Sequence, residues 1–167
     1  LEVGSDAFIP GYWQTEKYFH SIRETLLHDF SFKELPDDVS NRLLDKIRSV
    51  NSVSVHVRRG DFVSDPKSRG LHHCCDEKYY ERAFQAIVEQ VEDPHFFVFS
   101  DEPDWVRANL VAPGEMTVVD LNHGARSHED MRLMSQCRNN LIANSSFSWW
   151  GAWLNECDGK VVVAPSR

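Results

Sequence analysis

Hydrophobic positions along the chain follow two rhythms, one of period two and one of three to four. Val53, Val55 and Val57 alternate with Ser54, His56 and Arg58, which predicts a half-buried strand rich in β-branched residues. His95-Phe96-Phe97-Val98-Phe99-Ser100 is a continuous apolar run of strand length, the pattern of a strand covered on both faces. Shorter strands are predicted at 116–120, 140–144 and 160–164, the last ended by Pro165. Helical spacing appears at 14–30, where Tyr18, Ile22, Leu26 and Phe30 fall four apart, and at 38–50 through Val39, Leu43, Leu44, Ile47 and Val50. It is clearest at 76–91, through Tyr79, Tyr80, Ala83, Phe84, Ile87, Val88 and Val91, a stripe read as core with no further role for its tyrosines. Ser100 or Asp101 is placed to cap a short helix running through Trp105 to Leu110. Ser127 starts another helix, in which Asp130 three residues on imitates a capping box and Leu133, Met134 and Cys137 form a core face. A last helix begins at Ser145.

Between these elements lie an aromatic lead-in at 7–13 with a Pro10-Gly11 turn, a linker at 31–38, a polar surface loop at 62–76 and a turn at His123-Gly124. Strands alternating with helices are the sequence form of a doubly wound parallel α/β sheet. Residues 1–38 read as a helical lead-in and linker, and 39–167 as the α/β domain. No repeat or low-complexity tract interrupts them.

Composition narrows the chemistry. The 167 residues, 41% hydrophobic and 26% charged, suit a folded globular domain rather than a disordered chain. With 18 basic and 26 acidic residues the net charge is −8, which argues against a broad nucleic-acid surface yet permits a nucleotide held by a few arginines. No apolar run approaches a membrane span, and no signal-peptide pattern opens the chain. The cysteines Cys74, Cys75, Cys137 and Cys157 do not form the framework of a disulfide-stapled domain, and a reducing compartment fits them best. His72-His73-Cys74-Cys75 suggests a metal cluster, but neighbouring side chains seldom converge on one ion and no further ligand pair stands at familiar spacing. Partly buried thiols are the preferred reading, with no metal site.

Two segments carry the candidate chemistry. His56-Val57-Arg58-Arg59-Gly60-Asp61 gathers an imidazole, two guanidiniums and a carboxylate at the C-terminal end of a predicted strand, where open α/β sheets bind ligands. Paired arginines match phosphate or carboxylate oxygens, although they can equally form salt bridges to acidic loops. Ala143-Asn144-Ser145-Ser146-Phe147-Ser148 crosses from strand to helix, and its free N–H groups, dipole end and hydroxyls suit an anion. Both segments can face one crevice, where Arg58 or Arg59 opposite Ser146, Phe147 and Ser148 could hold a diphosphate between them. No Gly-x-Gly-x-x-Gly and no Walker-type lysine loop occurs, which disfavours ordinary dinucleotide and P-loop binding. Trp149, Trp150 and Trp153 are read as core ahead of a stacking platform, and the Asn144-Ser145-Ser146 sequon is set aside as a buried strand end.

Together these residues resemble a known family. His56-Val57-Arg58-Arg59-Gly60-Asp61 is similar to the H-x-R-R-G-D motif of the α-1,2-fucosyltransferases, glycosyltransferase family 11. Asp130-Met131-Arg132-Leu133-Met134-Ser135-Gln136-Cys137, then the stretch from Ile142 through Ser148-Trp149-Trp150-Gly151-Ala152-Trp153-Leu154, resemble its later motifs in their bacterial style. Gly11-Tyr12-Trp13-Gln14 through Tyr18-Phe19 resembles the approach to the first motif.

The resemblance implies a metal-independent, inverting transfer of L-fucose from GDP-β-L-fucose to the 2-hydroxyl of a galactose-containing acceptor, with GDP-fucose as substrate and no cofactor. It implies that the chain is the Rossmann-like, C-terminal donor-binding half of a GT-B enzyme, with another α/β half expected before it and little transfer expected from this half alone. The cytoplasm, or its face of the inner membrane, is the expected location. Arg58 is expected to neutralise the leaving diphosphate. His56 and Arg59 are expected beside the nucleotide, though Arg59 can instead orient the loop or pair with an acid. Asp130 is expected to accept the guanine N1 and N2 hydrogens, against its other reading as a helix-start cap, and Ser146, Phe147 and Ser148 to donate to phosphate. Asp61 is the candidate general base, or only a positioner of the arginines, with the leaving phosphate taking the proton. Two rivals are a non-catalytic GDP-sugar-binding module and a metal-dependent phosphate-ester hydrolase using Asp61 or Asp101.

Overall fold

β1 (Asn51–Val57) lies at the centre of a five-stranded sheet and is buried along nearly its whole length, on both faces. The other strands are β2 (Pro94–Ser100), β3 (Glu115–Val119), β4 (Asn139–Leu141) and β5 (Val162–Val163). All neighbours pair in parallel, in the order β3-β2-β1-β4-β5. The computed structural model describes residues 15–32, 37–65 and 74–166.

The chain divides into two units, Leu1–Lys33 and Glu34–Arg167. In the first, two 3₁₀ turns, Glu16–Tyr18 and His20–Ile22, precede α1 (Arg23–Asp29). The helix expected over 14–30 is thus regular only in its second half. Tyr18 is 64% and Ile22 50% exposed, so the apolar stripe gains little burial, and short helices without burial are marginal in water. The aromatic lead-in at 7–13 and the His72-His73 pair fall outside the described residues.

The second unit carries α2 (Asp38–Ser49), α3 (Gly60–Ser64), α4 (Glu77–Val88), α5 (Pro103–Asn109), α6 (Ser127–Ser135) and α7 (Ser146–Trp153). Asp37 caps α2 by accepting the Ser40 N–H at 2.8 Å, and Asp76 caps α4 by accepting the Tyr79 N–H at 2.8 Å. One sheet face packs Val53, Val55, Val57, Phe96 and Val98 against Tyr80, Phe84 and Ile87 of α4 and Val106 of α5. The other packs Phe97 and Phe99 against Leu44 and Ile47 of α2 and Leu133 and Met134 of α6. The chain moves one way across the sheet from β1 to β3 with its helices on the first face, then reverses to β4 with α6 on the second. That is the arrangement right-handed crossovers demand.

The alternation in β1 therefore misleads. Ser52, Ser54 and His56 do not face water; they are buried under the second layer, where the two serines find polar partners. Ser54 Oγ accepts from Asn140 Nδ2 at 2.7 Å, and Asn140 Oδ1 accepts from Asn155 Nδ2 at 2.7 Å. Ser52 Oγ accepts the Arg138 N–H at 3.1 Å. A buried polar group so satisfied costs the strand little.

Three local expectations are corrected. The segment after Asp61 opens as α3 rather than as irregular loop. Glu102, not Ser100 or Asp101, stands at the N-cap of α5, because Ser100 Oγ accepts the Glu102 N–H at 3.0 Å and Asp101 is drawn to the β1 end. No capping box forms at α6, which is entered through a 3₁₀ turn at Gly124–Arg126 and has no side-chain cap; Asp130 bonds Asn122 instead.

Candidate nucleotide site at the switch point

The strand order reverses between β1 and β4, and in open α/β sheets the crevice outside the strand C-termini at that point is where ligands bind. The two candidate segments lie on either side of it. His56-Val57-Arg58-Arg59 ends β1, and Ala143-Asn144-Ser145 runs from β4 into α7. Two tyrosines of α4 tie these ends from the first face. Tyr80 donates to the His56 carbonyl at 3.1 Å and Tyr79 to the Ile142 carbonyl at 2.5 Å. Burial raises both phenols far above their ordinary range, so they stay neutral donors. Reading that stripe as core alone missed this brace; adjacent tyrosines in an apolar stripe were the signal, since a buried phenol needs a partner.

Strand alternation sends the two arginines apart. Arg59 turns to the α5 side, where its guanidinium lies 3.8 Å from the centre of the Trp105 ring and its Nε donates to Glu102 at 3.2 Å. These contacts commit Arg59 to holding the loop. Arg58 turns to the side of His56. Its Nη2 meets Asp61 Oδ1 at 2.6 Å and its Nη1 meets Asp101 Oδ2 at 3.1 Å, with the side chain still 36% exposed. Asp101 directly follows β2, whose Ser100 is in register with Val57, so the sheet itself delivers the carboxylate to this point. The sequence reading had Asp101 only as a helix cap or a hydrolase ligand.

His56 is buried with its ring 5.5 Å from that of Phe147, which places α7's first turn over the β1 end. Burial, aided by the Arg58 charge, lowers its pKa to about 3, so the imidazole is neutral at working pH. Its Nδ1 has no hydrogen-bond partner among the described residues. Ser145 is the N-cap of α7, its Oγ accepting the Phe147 N–H at 3.3 Å, and Ser146 is exposed beside it. Ser148, expected to offer phosphate a backbone or hydroxyl donor, has its hydroxyl taken up inside the turn. It is fully buried, its Oγ accepting the Ala143 N–H at 3.2 Å and lying 3.2 Å from the Ser145 carbonyl. That hydroxyl shapes the strand-to-helix turn.

Asp130 sits in the first turn of α6. Because α6 leaves the C-terminal end of β3 for the start of β4, this turn lies at the same sheet edge. Its carboxylate accepts from Asn122 Nδ2 at 2.8 Å, and burial raises its pKa to about 6 against the pull of that hydrogen bond and of His123. On α7, Trp153 is buried and Trp149 and Trp150 half-buried; the rings of Trp149 and Trp153 are near-parallel at 6.3 Å, and Trp150 meets both edge-on at 5.0 and 5.3 Å. A shallow depression of about 360 Å³ lies at the opposite sheet edge, lined by Asn51, Pro94 and Glu115 at the strand starts. Its position, away from Arg58 and α7, removes it from this chemistry. Among the described residues no group of three His, Cys, Asp or Glu side chains stands where it could hold a metal ion.

Comparison with known proteins follows the same residues. The description "Glycosyl transferase family 11" matches residues 3–167. The chain belongs to glycosyltransferase family 11. Within the family it is similar to an alpha-1,2-colitosyltransferase of Escherichia coli, 41% identical over 98% of this chain and 56% of that protein. It is 34% identical to the O-antigen biosynthesis glycosyltransferase WbnK of Escherichia coli, over 100% of this chain and 57% of that protein. With the human galactoside alpha-(1,2)-fucosyltransferase 1 it shares 26% identity over 82% of this chain and 40% of that protein. The chain thus spans little more than half the length of the two Escherichia coli relatives and 40% of the human one. No helix among the described residues is long and apolar enough to cross a membrane.

Proposed function

We propose that this family 11 chain binds GDP-β-L-fucose at the switch-point crevice and serves an inverting, metal-independent transfer of L-fucose to the 2-hydroxyl of a galactoside. The observation that carries the reading is the placement of Arg58. It is the motif arginine left on the side of His56 and α7, while Arg59 is committed to Trp105 and Glu102. A guanidinium there meets the diphosphate as negative charge grows on it, which is electrostatic stabilisation of the transition state. The Ser146 N–H at the start of α7 supplies a donor from the other wall, while the Phe147 N–H is held by the Ser145 cap. His56 offers a neutral imidazole to the nucleoside, and Asp130 accepts the two guanine donors when ionised. Asp61 covers Arg58 until the diphosphate arrives, and its carboxylate, then released, takes the proton of the acceptor hydroxyl. Location in the cytoplasm or at the inner membrane face belongs to the same proposal.

A second donor has one observation in its favour. The 41% identity to an alpha-1,2-colitosyltransferase supports a colitosyl group in place of fucosyl. Calorimetric titration with GDP-fucose, GDP-colitose, GDP and UDP, followed by a transfer assay on lactose with the full-length protein, tests both. GDP-sugar binding at least tenfold tighter than UDP binding is expected, and transfer decides the sugar. Equal binding of UDP, or no GDP binding at millimolar concentration, overturns the proposal. Tight binding without transfer favours the non-catalytic module.

A further inference from the structure

Two carboxylates hold Arg58, and they are not equivalent. Asp61 comes from the exposed turn of α3, its side chain 50% exposed, and makes a single contact at 2.6 Å with Nη2. The Asp101 side chain is 25% exposed and is fixed at both oxygens. Oδ1 accepts the Arg59 backbone N–H at 3.0 Å while Oδ2 meets Arg58 Nη1 at 3.1 Å. The next residue is anchored as well, since Glu102 donates its N–H to Ser100 Oγ and accepts from Arg59 Nε. Gly60 completes the arrangement: a Cβ there would stand 2.5 Å from Asp101 Oδ2, closer than any real contact. A glycine is needed because the carboxylate occupies the space a side chain would fill.

From this geometry we propose that Asp101 is the positioning residue for Arg58. It is a fixed carboxylate at the end of β2 that aims the guanidinium into the crevice, with Gly60 giving it room, while Asp61 is the partner a diphosphate displaces. The proposal rests on the reading of Arg58 as the diphosphate-binding group. Two planar hydrogen-bonding sites on one guanidinium let one carboxylate keep the fork oriented while phosphate oxygens take the other. Coulomb attraction alone gives a different expectation. Removing either negative charge from beside an anion site should strengthen anion binding.

GDP binding by calorimetry separates the two. Asp101→Asn keeps an oxygen for the Arg59 N–H and loses the ionic contact to Arg58; it is expected to weaken GDP about tenfold, as loss of a charge-assisted contact does. Gly60→Ala keeps every charge but displaces Asp101, and is expected to weaken GDP similarly. Asp61→Asn is expected to tighten GDP about threefold, because a competitor for Nη2 is gone. In an Arg58→Ala background, Asp101→Asn is expected to add less than a twofold change, since Asp101 acts through Arg58; a purely structural role would still weaken binding there. Circular dichroism checks folding, and if Asp101→Asn fails to fold then Gly60→Ala carries the test. The proposal is overturned if Asp101→Asn or Gly60→Ala binds GDP within twofold of the parent, if Asp61→Asn weakens GDP as they do, or if the Asp101 effect persists without Arg58. An Arg58→Ala variant that itself binds GDP normally refutes the underlying reading instead.

Discussion

Replacing Asp130 by asparagine should make the protein more stable and its nucleotide site worse. Burial lifts the Asp130 pKa from 3.8 to about 6, more than the Asn122 hydrogen bond and the nearby His123 recover. At pH 7.5 the carboxylate is therefore ionised at a cost. At about 1.4 kcal/mol per pH unit the full shift would be worth roughly 3 kcal/mol, and screening by the solvent that still reaches the group reduces it to about 1–2 kcal/mol. The sign follows from linkage. The folded chain binds a proton more readily than the unfolded chain, so the cost is complete above pH 6, shrinks as pH falls, and is gone below 3.8. Asp130→Asn keeps an oxygen for Asn122 and never ionises. Urea denaturation at pH 7.5 should show the variant more stable by about 1–2 kcal/mol, or about 2–8 °C in Tm, with the difference vanishing near pH 4. GDP binding should weaken at least about tenfold, because the amide cannot accept both guanine donors as a carboxylate does. A variant less stable than the parent at pH 7.5, or a stability difference independent of pH, would refute the reasoning.

Other outcomes follow from the same structure. Tyr80→Phe removes the donor to the His56 carbonyl and leaves that buried oxygen short of a partner, so chemical denaturation should show a loss of about 1–2 kcal/mol; a neutral variant would mean the brace is dispensable. Below pH 6, GDP affinity should fall as Asp130 protonates, and an affinity flat between pH 5 and 7.5 would remove Asp130 from guanine recognition. Excess EDTA should leave GDP-sugar binding and transfer unchanged, whereas abolition by EDTA and restoration by a divalent cation would favour the hydrolase-like alternative.

The parallel α/β architecture was legible because its long elements follow their periods cleanly. The apolar run at 95–100 and the stripe through Phe84 and Ile87 each had one reading. β1 was found but misjudged in its surroundings, since Ser54 and His56 look solvent-facing until Asn140, 86 residues away from Ser54, is known to lie against Ser54 and Phe147 against His56. Caps were misassigned at Ser100, Asp101 and Ser127 because a local pattern cannot show that a side chain has a stronger distant partner. The site was half visible. A motif places Arg58 and Arg59 next to one another, but only strand alternation between two packed layers shows that they point apart. Ser148 looked like a donor in a serine-rich helix start, and its burial depends on how α7 closes over β4. Asp101 reaches Arg58 through strand register, which no spacing within either segment records.

The central claim is that the donor nucleotide lies at the switch point between β1 and β4. Titrating GDP into ¹⁵N-labelled protein and following backbone amide resonances tests it most directly. The account predicts that saturable shifts concentrate at residues 56–61, 130 and 144–148, and that Arg58→Ala weakens them. Shifts centred on the opposite edge, at Asn51, Pro94 and Glu115, or none at millimolar GDP, would contradict it.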